Sequence, residues 1–339
     1  MTSKVLRIGV LGASAIARDK VLPALLKTEN ARAQRLGTRD PAGRAPVAEA
    51  FGVREGTASL DAVVAAADVD AVYVSLPNTL HCEWIIKALE AGKPVLCDKP
   101  MCVTPEEAAA VADKSRATGL PVVEGFMFRF HPQHRHIRQR LQDGSVGAVR
   151  EARAFFHFGM LEAVGPSDIR LTDGPGAGAL MDMGCYTVAA VRMALGEPVA
   201  ANGWQVRHPR LGVNIGGAAN LLFPEGRRAQ ISWAYDAGNG GGFQVIGTQA
   251  ILETGNPFVP GQGNPGETTV RELRPQGQMG ARSFEAVDQF QLEFEDFAAA
   301  VLEGRQPLYT VDDAVAQAKA MALVQALPDI ESQRSGEQP

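Results

Sequence analysis

The sequence predicts two kinds of architecture in one chain: an α/β part with a doubly wound parallel sheet, and an α+β part with an antiparallel sheet. From Arg7 to about Gly125, short apolar runs alternate with longer segments whose apolar residues recur at helical spacing. Strands and helices in alternation form parallel sheets. Beyond the next helix, apolar runs follow one another with turn residues and mostly without helices between them. This second pattern is typical of an antiparallel sheet.

Strands and helices alternate through the first part. The predicted strands are the segments RIGVL, RAQRLG, DAVYVSL, PVLC and PVVEG. The segments with apolar residues at helical spacing are SAIARDKVLPALLK, RAPVAEAF, LDAVVAAA, HCEWIIKALEAG and PEEAAAVADKSRATG. The last helix has clear start signals, with Thr104 as N-cap, Pro105 at the first helical position and Glu107 three residues after the cap. Gly92 and Gly119 follow helical patterns, where glycine commonly ends a helix.

The second part begins with the helix HPQHRHIRQRLQDG. Six segments then predict strands: VREARAFFHF, ANGWQVRH, NIGGAANLLF, RRAQISWAY, GGFQVIG and AILETG. Three more helices are predicted, at about residues 181–195, 288–303 and 311–326. Residues 255–285 are rich in Gly, Pro and Gln and predict a long loop.

These patterns divide the chain into a doubly wound domain, an α+β domain and a tail. The expected boundaries are residues 1–125, 126–330 and 331–339. The polar tail is expected to be disordered because it has too few apolar residues to pack. A length of 339 residues agrees with about two domains of roughly 150 residues each.

The composition argues against several classes of protein. Hydrophobic residues make up 45% and charged residues 21% of the chain, as in ordinary globular proteins. The formal net charge is −5 and Lys and Arg are scattered, so nucleic acid is not expected as a partner. We expect a cytoplasmic protein without a membrane partner, because neither a secretory signal nor an apolar run of membrane-spanning length is found. The four cysteines show no CxxC spacing and are expected to be reduced thiols.

The turn after the first strand is the first candidate site. Its residues are Gly12, Ala13, Ser14, Ala15, Ile16 and Ala17. A dinucleotide-binding fold carries its glycine-rich turn at this position. Gly12 supplies the tight turn and Ala17 allows close packing, whereas Ser14 replaces the glycine over which a pyrophosphate lies. A strand-to-helix turn that binds no nucleotide is an equal alternative from this motif alone.

The end of the second strand bears on the choice of nucleotide. It reads Thr38, Arg39 and Asp40, where an NAD-binding fold places an acid on the ribose hydroxyls. Arg39 suits a 2′-phosphate through charge-assisted hydrogen bonds, so NADP is preferred, and Asp40 keeps NAD as the alternative. A solvated turn that touches no cofactor is the third interpretation.

Residues 71–100 carry the densest motif, AVYVSLPNTLHCEWIIKALEAGKPVLCDKP. It resembles the Gfo/Idh/MocA family of oxidoreductases, with Pro94 in place of a histidine and Asp98 in place of a glutamate of the family pattern. The resemblance continues through EGFMFRFHPQ, DIRL, GAGALMDMGCYTVAAVRMALG and IGTQAILETGNPF, and so covers essentially the whole chain. The segment FMFRFHPQ and the tyrosine that ends DMGCY are most similar to the subgroup of glucose–fructose oxidoreductase, xylose dehydrogenases and dimeric dihydrodiol dehydrogenase.

This resemblance implies a Rossmann domain that binds NADP or NAD, an open-faced antiparallel sheet domain, and catalysis in the cleft between them. It implies a dehydrogenase or reductase acting on CH–OH groups, which moves a hydride between nicotinamide and a sugar, sugar derivative or vicinal diol. A homodimer or homotetramer through the second sheet is expected. The residues implied in cofactor binding are Gly12, Ala13, Ser14, Ala15, Ile16, Thr38, Arg39, Leu76, Pro77, Asn78, His81, Asp98, Lys99 and Arg129.

Lys99, Asp182 and Tyr186 are the candidate catalytic residues. Asp182 and Tyr186 are four residues apart and so share one face of a predicted helix. Hydride transfer to a carbonyl leaves an alkoxide that must receive a proton, and Tyr186 is the expected donor. Its reference pKa of about 10 calls for nearby positive charge, which Lys99 and the oxidised nicotinamide would provide. Arg170 is expected to bind substrate together with these three residues. The alternatives are that Asp182 is a surface acid of the helix, Tyr186 a core aromatic residue and Lys99 a solvated loop lysine.

Several neighbouring residues keep more than one interpretation. The Lys99–Pro100 peptide bond is expected to be cis. Asp98 is one methylene shorter than the family's glutamate, which leaves its reach toward Lys99 or the nicotinamide ribose open. For Arg129 and Arg170 a structural ion pair is an equal alternative.

Three histidines lie close together in the sequence and are candidates for a metal site. His131, His134 and His136 fit no zinc spacing, so we expect a helix start and a solvated face rather than a metal site.

A nucleotide-sensing regulator without catalysis is one alternative function, although the retained Lys99 and Tyr186 speak against it. An NAD-dependent glycoside hydrolase is the other, and such relatives generally lack the tyrosine ending.

Overall fold

The computed structural model describes residues 5–39, 41–53, 55–165, 168–172, 174–260 and 268–331. The strands are β1 (Leu6–Leu11), β2 (Ala31–Gly37), β3 (Glu55–Thr57), β4 (Ala71–Val74), β5 (Val95–Asp98), β6 (Val122–Gly125), β7 (Val149–His157), β8 (Ala200–Arg207), β9 (Asn214–Leu222), β10 (Arg228–Ala234), β11 (Gly240–Gly247), β12 (Ile251–Thr254), β13 (Thr269–Leu273), β14 (Met279–Ser283) and β15 (Asp329–Glu331). The helices are α1 (Leu22–Lys27), α2 (Pro41–Ala50), α3 (Leu60–Ala65), α4 (His81–Glu90), α5 (Pro105–Thr118), α6 (Pro132–Gln142), α7 (Met160–Ala163), α8 (Cys185–Leu195), α9 (Gln289–Glu303) and α10 (Val311–Gln325).

The chain forms two compact units, and neither is continuous in sequence. The first contains Met1–Phe130 and Asp288–Ala318, and the second His131–Val287 and Lys319–Pro339. The linear division at residue 125 differs from this arrangement, because helix α9 and the start of α10 belong to the first unit. Of the predicted tail, Glu331 ends β15 and the remaining residues lie outside the described part of the chain.

The first unit contains the predicted doubly wound parallel sheet. Its six strands lie in the order β3-β2-β1-β4-β5-β6, and every pairing is parallel. The order reverses between β1 and β4, which is where such sheets bind ligands beyond the carboxyl ends of the strands. All four residues of β4 are buried, as expected for a strand covered on both faces. The fold class predicted for this half is confirmed.

The helices of the first unit follow the predicted end signals. The hydroxyl of Thr104 accepts a hydrogen bond from the backbone N–H of Glu107 at 3.2 Å, and Pro105 opens α5. Gly119 ends that helix at φ 68°, a left-handed conformation that favours glycine. Helix α9 returns to this unit, and its Phe294 ring lies edge-on to Tyr73 of β4 with 5.4 Å between ring centroids.

The second unit contains a nine-stranded sheet in the order β14-β13-β12-β11-β7-β10-β9-β8-β15. Most pairings are antiparallel, as predicted, but β7 with β10 and β8 with β15 are parallel. The long loop predicted over residues 255–285 is wrong in part, because β13 and β14 form a hairpin there. All five residues of β14 are exposed, so no burial pattern marked the strand in the sequence. Residues 261–267 of that segment lie outside the described chain.

One face of the second sheet carries α8, and the other carries an exposed row of side chains. Phe155 pairs with Gly242 on one side and with Ser232 on the other; Ser232 pairs with Ala218, which pairs with Trp204. Phe155 is 42% exposed and Trp204 49%. Two large aromatic rings therefore stand in solvent on a row otherwise made of small residues. Across the described ranges, no helix combines the length and the apolar character needed to cross a membrane.

Candidate active site

The turn after β1 is fixed by contacts within the protein. Gly12 has φ +100°, and a Cβ at this position would lie 2.2 Å from the carbonyl oxygen of Ser75, which follows β4. The Gly12 N–H donates to the Gly37 carbonyl at 2.8 Å. Glycine is therefore required here by the close approach of two neighbouring strand ends.

Ser14 replaces a glycine of the usual turn and has its own role. Its Oγ lies 2.6 Å from Oγ of Ser75 and accepts the N–H of Ala17 at 3.1 Å. Ser14 thus links the turn to the end of β4 and caps the helical segment that continues as a π-helical turn, Ala17–Val21, into α1. Tight turn, helix start and strand-order reversal coincide here, so the residues present fit a dinucleotide.

The end of β2 offers a candidate cation for a nucleotide phosphate. Thr38 is buried and its N–H donates to the Thr57 carbonyl at 3.0 Å. Arg39 is exposed immediately beyond it. Asp40, the competing candidate, lies outside the described residues. The arrangement leaves the guanidinium of Arg39 in solvent at the edge where the strands end.

His81 joins two segments of the first unit. Its Nδ1 lies 2.9 Å from the Pro100 carbonyl and its Nε2 lies 2.8 Å from the Leu76 carbonyl. Burial lowers the pKa of His81, against the raising effects of Pro100 and Asp98. The ring is therefore neutral near pH 7 and donates to one carbonyl at a time. The sequence implied cofactor binding by His81; with no exposed surface, it holds Leu76, and with it Pro77 and Asn78, beside Pro100.

Lys99 follows β5 directly, and the Lys99–Pro100 bond is cis, as predicted. The N–H of Lys99 donates to Oδ1 of Asp98 at 2.8 Å. The Asp98 side chain, which is one methylene shorter than the family's glutamate, thus accepts a hydrogen bond from the backbone of the next residue. The next N–H, of Met101, donates to Oε1 of Glu124 on β6 at 2.9 Å. Carboxylates on two adjacent strands therefore hold the backbone on both sides of Pro100.

A buried acid that the sequence analysis missed lies in the same unit. Glu293 on α9 is 3% exposed, and burial followed by the charge of Asp98 raises its pKa, against the lowering effect of Arg129. Burial, and then Asp98, also raises the pKa of Tyr73. Burial thus disfavours the charged form of Glu293. The only signal in the sequence was a glutamate within the largely apolar run QFQLEFEDF.

Arg129 has the structural partner that the sequence left open. Its Nη1 pairs with Oδ2 of Asp313 on α10 at 2.5 Å. The guanidinium carbon lies 4.8 Å from the centre of the Phe126 ring and 4.6 Å from that of Tyr309. The side chain is 3% exposed. The ion pair holds α10 to the first unit, and contact of Arg129 with a cofactor stays a prediction.

In the second unit, Asp182 is the centre of a polar cluster. Tyr235 donates its hydroxyl to Oδ2 of Asp182 at 3.0 Å, and Nη1 of Arg170 lies 3.7 Å from the same oxygen. Arg170 also forms a bidentate pair with Asp168 at 2.9 and 2.8 Å. The bond to Asp168 raises the pKa of Arg170, and burial followed by Asp182 raises that of Tyr235. Tyr235 stays a hydrogen-bond donor at neutral pH, and the sequence analysis did not single it out.

Close packing sets the start of the helix that carries Asp182. Asp182 lies in a π-helical turn, Leu180–Gly184, that continues as α8. Oδ1 of Asn214 accepts both the N–H of Leu180 at 2.9 Å and the indole N–H of Trp233 at 3.1 Å. A Cβ on Gly184 would lie 2.7 Å from a Leu180 methyl carbon, so a larger residue here would displace the Leu180 side chain.

Tyr186 lies one turn further along this helix and is held by aromatic rings. Its ring meets those of Phe156 and Phe258 edge-on, with centroids 5.4 and 5.6 Å apart, and 6% of the residue is exposed. Gln133 and His134 anchor the loop before Phe258 by bonds to the carbonyls of residues 256 and 257. The separate motifs FHPQ and GNPF thus together fix the tyrosine ring.

The histidines have packing roles. Nδ1 of His131 accepts the N–H of Gln133, so His131 caps α6 as the predicted helix start. The predicted solvated face is wrong for His131 and His134, which are 0% and 1% exposed, because His134 stacks on Phe243 and bonds Pro257. Burial lowers the pKa of His131 to about 4. Within the described residues, no three His, Cys, Asp or Glu side chains are grouped to hold a metal.

Both parts of the chain match models of known protein families. Residues 6–126 match the model of the Gfo/Idh/MocA oxidoreductase family with an NAD-binding Rossmann fold, and residues 134–253 match that family's C-terminal domain. The chain belongs to the Gfo/Idh/MocA family. It is therefore an oxidoreductase of a family that binds nicotinamide dinucleotides, as the resemblance implied.

Several relatives of this chain are named as enzymes that act on sugars. A dTDP-3,4-didehydro-2,6-dideoxy-α-D-glucose 3-reductase of Actinomadura kijaniata is 34% identical over 324 residues, 94% of each chain. A D-xylose 1-dehydrogenase (NADP⁺) of Haloferax volcanii is 31% identical over 91% of this chain and 92% of that protein. The crystal structure of a 3-ketoreductase from Actinomadura kijaniata with NADP and TDP-benzene has a TM-score of 0.86 at 32% identity, and the match covers 97% of this chain and 100% of the other.

Proposed function

We propose that this chain transfers a hydride between NADP(H) and a carbon of a sugar or sugar derivative, interconverting a C–OH group and a carbonyl. Tyr186 moves the proton and Lys99 supplies the positive charge that assists it. A bound nicotinamide would supply the hydride in the reducing direction and take it up in the oxidising direction. The relatives described above, which are sugar dehydrogenases and reductases, support this class of substrate.

The residues that would hold the nucleotide are those at the carboxyl edge of the parallel sheet. The Gly12 turn and Ser14 would hold the pyrophosphate, and Leu76 to Asn78 follow the neighbouring strand end. Arg39 is the candidate for the 2′-phosphate. Its exposure at the end of β2 supports a preference for NADP over NAD.

The observation that carries the proton-transfer role is the setting of Tyr186 on its helix. Two aromatic rings fix its ring, and one turn earlier the Asp182 side chain is held by Tyr235 and Arg170. A carboxyl group suits sugar hydroxyl donors, because its oxygens accept hydrogen bonds. We therefore assign Asp182 and Arg170 to substrate binding and Tyr186 to general acid and base catalysis.

Turnover assays test this function directly. The purified protein is offered NADPH with keto sugars, including dTDP-linked ones, and NADP⁺ with aldoses, polyols and vicinal diols, while reduced nicotinamide is followed by absorbance. A change in NADPH that depends on the sugar is the expected result. Tight nucleotide binding without turnover across the panel would favour the regulator, and sugar release from glycosides without net NADPH change would favour the hydrolase.

Replacing Arg39 by serine tests the choice of nucleotide. Because the guanidinium is expected to bond the 2′-phosphate, Arg39→Ser should raise KM for NADP by roughly tenfold or more and leave KM for NAD almost unchanged. Arg32→Ser, at an exposed arginine near the start of the same strand, is the matched control and should change neither value. Equal loss with both nucleotides would remove Arg39 from the 2′-phosphate.

We also propose that the exposed face of the second sheet joins copies of this chain, in the cytoplasm, where the four free cysteines stay reduced. The uncovered rings of Phe155 and Trp204 support this interface. Trp204→Glu should weaken self-association by about 2 kcal/mol or more, roughly 30-fold, measured by light scattering over a dilution series. Leu26→Glu, at an exposed leucine of the first unit, is the control. A wild-type chain that is monomeric at all concentrations contradicts the proposal.

A further inference from the structure

A polar cavity of about 210 Å³ lies within the second unit. Its walls come from β8, the start of β9, the end of α10, β15 and the loop of residues 174–177. Gln205 and Asn214 are buried at its floor, whereas Gln325 and Asp329 are exposed at its rim. Because a cavity of roughly 150 Å³ holds benzene, this one has room for a molecule the size of a single sugar ring.

Two buried carboxamides hold the floor of the cavity. Nδ2 of Asn214 donates to Oε1 of Gln205 at 3.2 Å. Nε2 of Gln205 donates to the backbone carbonyls of Gln325 and Leu327, each at 3.0 Å. On the other side, Oδ1 of Asn214 accepts the N–H of Leu180 at 2.9 Å. These bonds fix the shape of the cavity, so little ordering is required when a molecule enters it.

The rim offers hydrogen-bond donors and acceptors side by side. Nε and Nη2 of Arg207 lie 3.1 and 3.0 Å from the same oxygen, Oδ2, of Asp329. Each of these two side chains is 42% exposed, and a carboxylate accepts about four hydrogen bonds in all. Nε2 of Gln325 donates to Sδ of Met181 at 3.3 Å, and a thioether is a weak acceptor. An oxygen atom of a ligand would be a stronger partner for this amide.

These groups select the chemical class of the ligand. An anion would meet the carboxylate of Asp329 and a cation would meet Arg207, whereas a hydroxyl group donates to the first and accepts from the second. Leu180, Met181 and Val213 add apolar surface to the wall, which suits the C–H groups of a ring. We propose that this cavity binds an uncharged polyol or monosaccharide.

The cavity adjoins the proposed substrate site but uses other side chains. Among the described residues that line it, none is Arg170, Asp182 or Tyr186. Gly178 follows the loop of the cavity; its N–H donates to the Arg170 carbonyl at 3.0 Å, and its carbonyl accepts the Asp182 N–H at 3.1 Å. A Cβ on Gly178 would lie 2.7 Å from the Asn214 carbonyl oxygen, so this backbone packs closely on the floor. The two sites therefore share a backbone segment and can be separated by mutation.

Ligand-observed NMR tests the site without nucleotide and without turnover. Saturation transfer to D-glucose and xylitol should show binding to the full chain, with dissociation constants on the order of millimolar, as expected for such small ligands. No binding of either probe overturns the proposal. Tighter binding of inorganic phosphate than of both probes overturns the uncharged class of ligand. Because no hydride transfer is measured, failure here is distinguishable from failure of the proposed reaction.

Variants made in the Asp182→Asn chain locate the bound molecule, since this change weakens only the proposed substrate site. Binding of the probes should persist in Asp182→Asn, and its loss would place them in the substrate site and refute the proposal. Adding Gln325→Leu, at an exposed residue, should weaken binding about fivefold or more, the value of one hydrogen bond. Adding Ala177→Phe fills the cavity and should abolish binding. Gln249→Leu, at an exposed glutamine of the same unit, is the matched control and should change nothing. Unchanged affinity in the Gln325 and Ala177 variants would also overturn the site.

Discussion

Tyr186→Phe should lower kcat by a factor on the order of 10² to 10⁴ in either direction. The substitution removes only the hydroxyl that is proposed to exchange a proton with the substrate oxygen. The phenylalanine ring keeps the edge-on contacts with Phe156 and Phe258, so the fold should be intact. Steady-state turnover with the best sugar found in the panel, together with NADPH affinity by fluorescence, measures the two quantities separately.

The expected pattern for Tyr186→Phe is lost turnover with retained nucleotide binding. Tyr309→Phe is the matched control, because Tyr309 stacks on Arg129 in the first unit and has no proposed chemical role. It should keep turnover within about twofold, as substitutions away from key contacts usually do. If Tyr186→Phe retains wild-type kcat, another group moves the proton.

Lys99→Met should lower kcat by roughly 10²- to 10³-fold, because a positive charge that stabilises developing negative charge is lost. Loss of the positive charge that is proposed to assist the tyrosine should also raise the pKa of that tyrosine. In the oxidising direction the ionised tyrosine is the active form, so the pH of half-maximal rate should shift upward by roughly one unit or more. Rate profiles over pH for both chains measure this shift.

The control for Lys99→Met is Lys114→Met, which removes a partly exposed lysine of α5 that pairs with Glu90. It should leave both rate and profile unchanged. The double variant of Lys99 and Tyr186 adds a second test. If both side chains serve one step, the double loss is much smaller than the product of the single losses. A fully multiplicative loss would mean that the two residues act independently.

Burial decided how much of the fold could be predicted from the sequence. Strand β4 is covered on both faces, so it appears as an unbroken apolar run that periodicity detects. Strand β3 has three residues and depends on pairing with β2, and β14 is exposed throughout, so neither carries a pattern. The return of α9 to the first sheet is a long-range contact, which local spacing does not encode.

The residues of the candidate site also fall into two groups, those that the sequence predicts and those that only the structure identifies. Lys99, Asp182 and Tyr186 lie in motifs whose spacing along the chain is fixed, so the sequence alone named them. Tyr235 follows β10 far from Asp182, and only the register of β10 with its neighbours brings its hydroxyl to that carboxylate. Glu293 looks like any helical glutamate until the packing of α9 buries it. Tertiary contacts, rather than local chemistry, define these two residues.

The split of the first unit into two stretches also sets the order in which the nascent chain can mature. All six parallel strands have left the ribosome soon after Gly125, but the helix that brings Phe294 onto Tyr73 is translated only after β14. Apolar surface beside Tyr73 therefore stays uncovered while strands β7 to β14 of the second sheet are synthesised. Such intermediates are prone to aggregate and are typical chaperone clients. Ribosomal stalling between residues 130 and 288 would leave a six-stranded sheet without α9 and the start of α10.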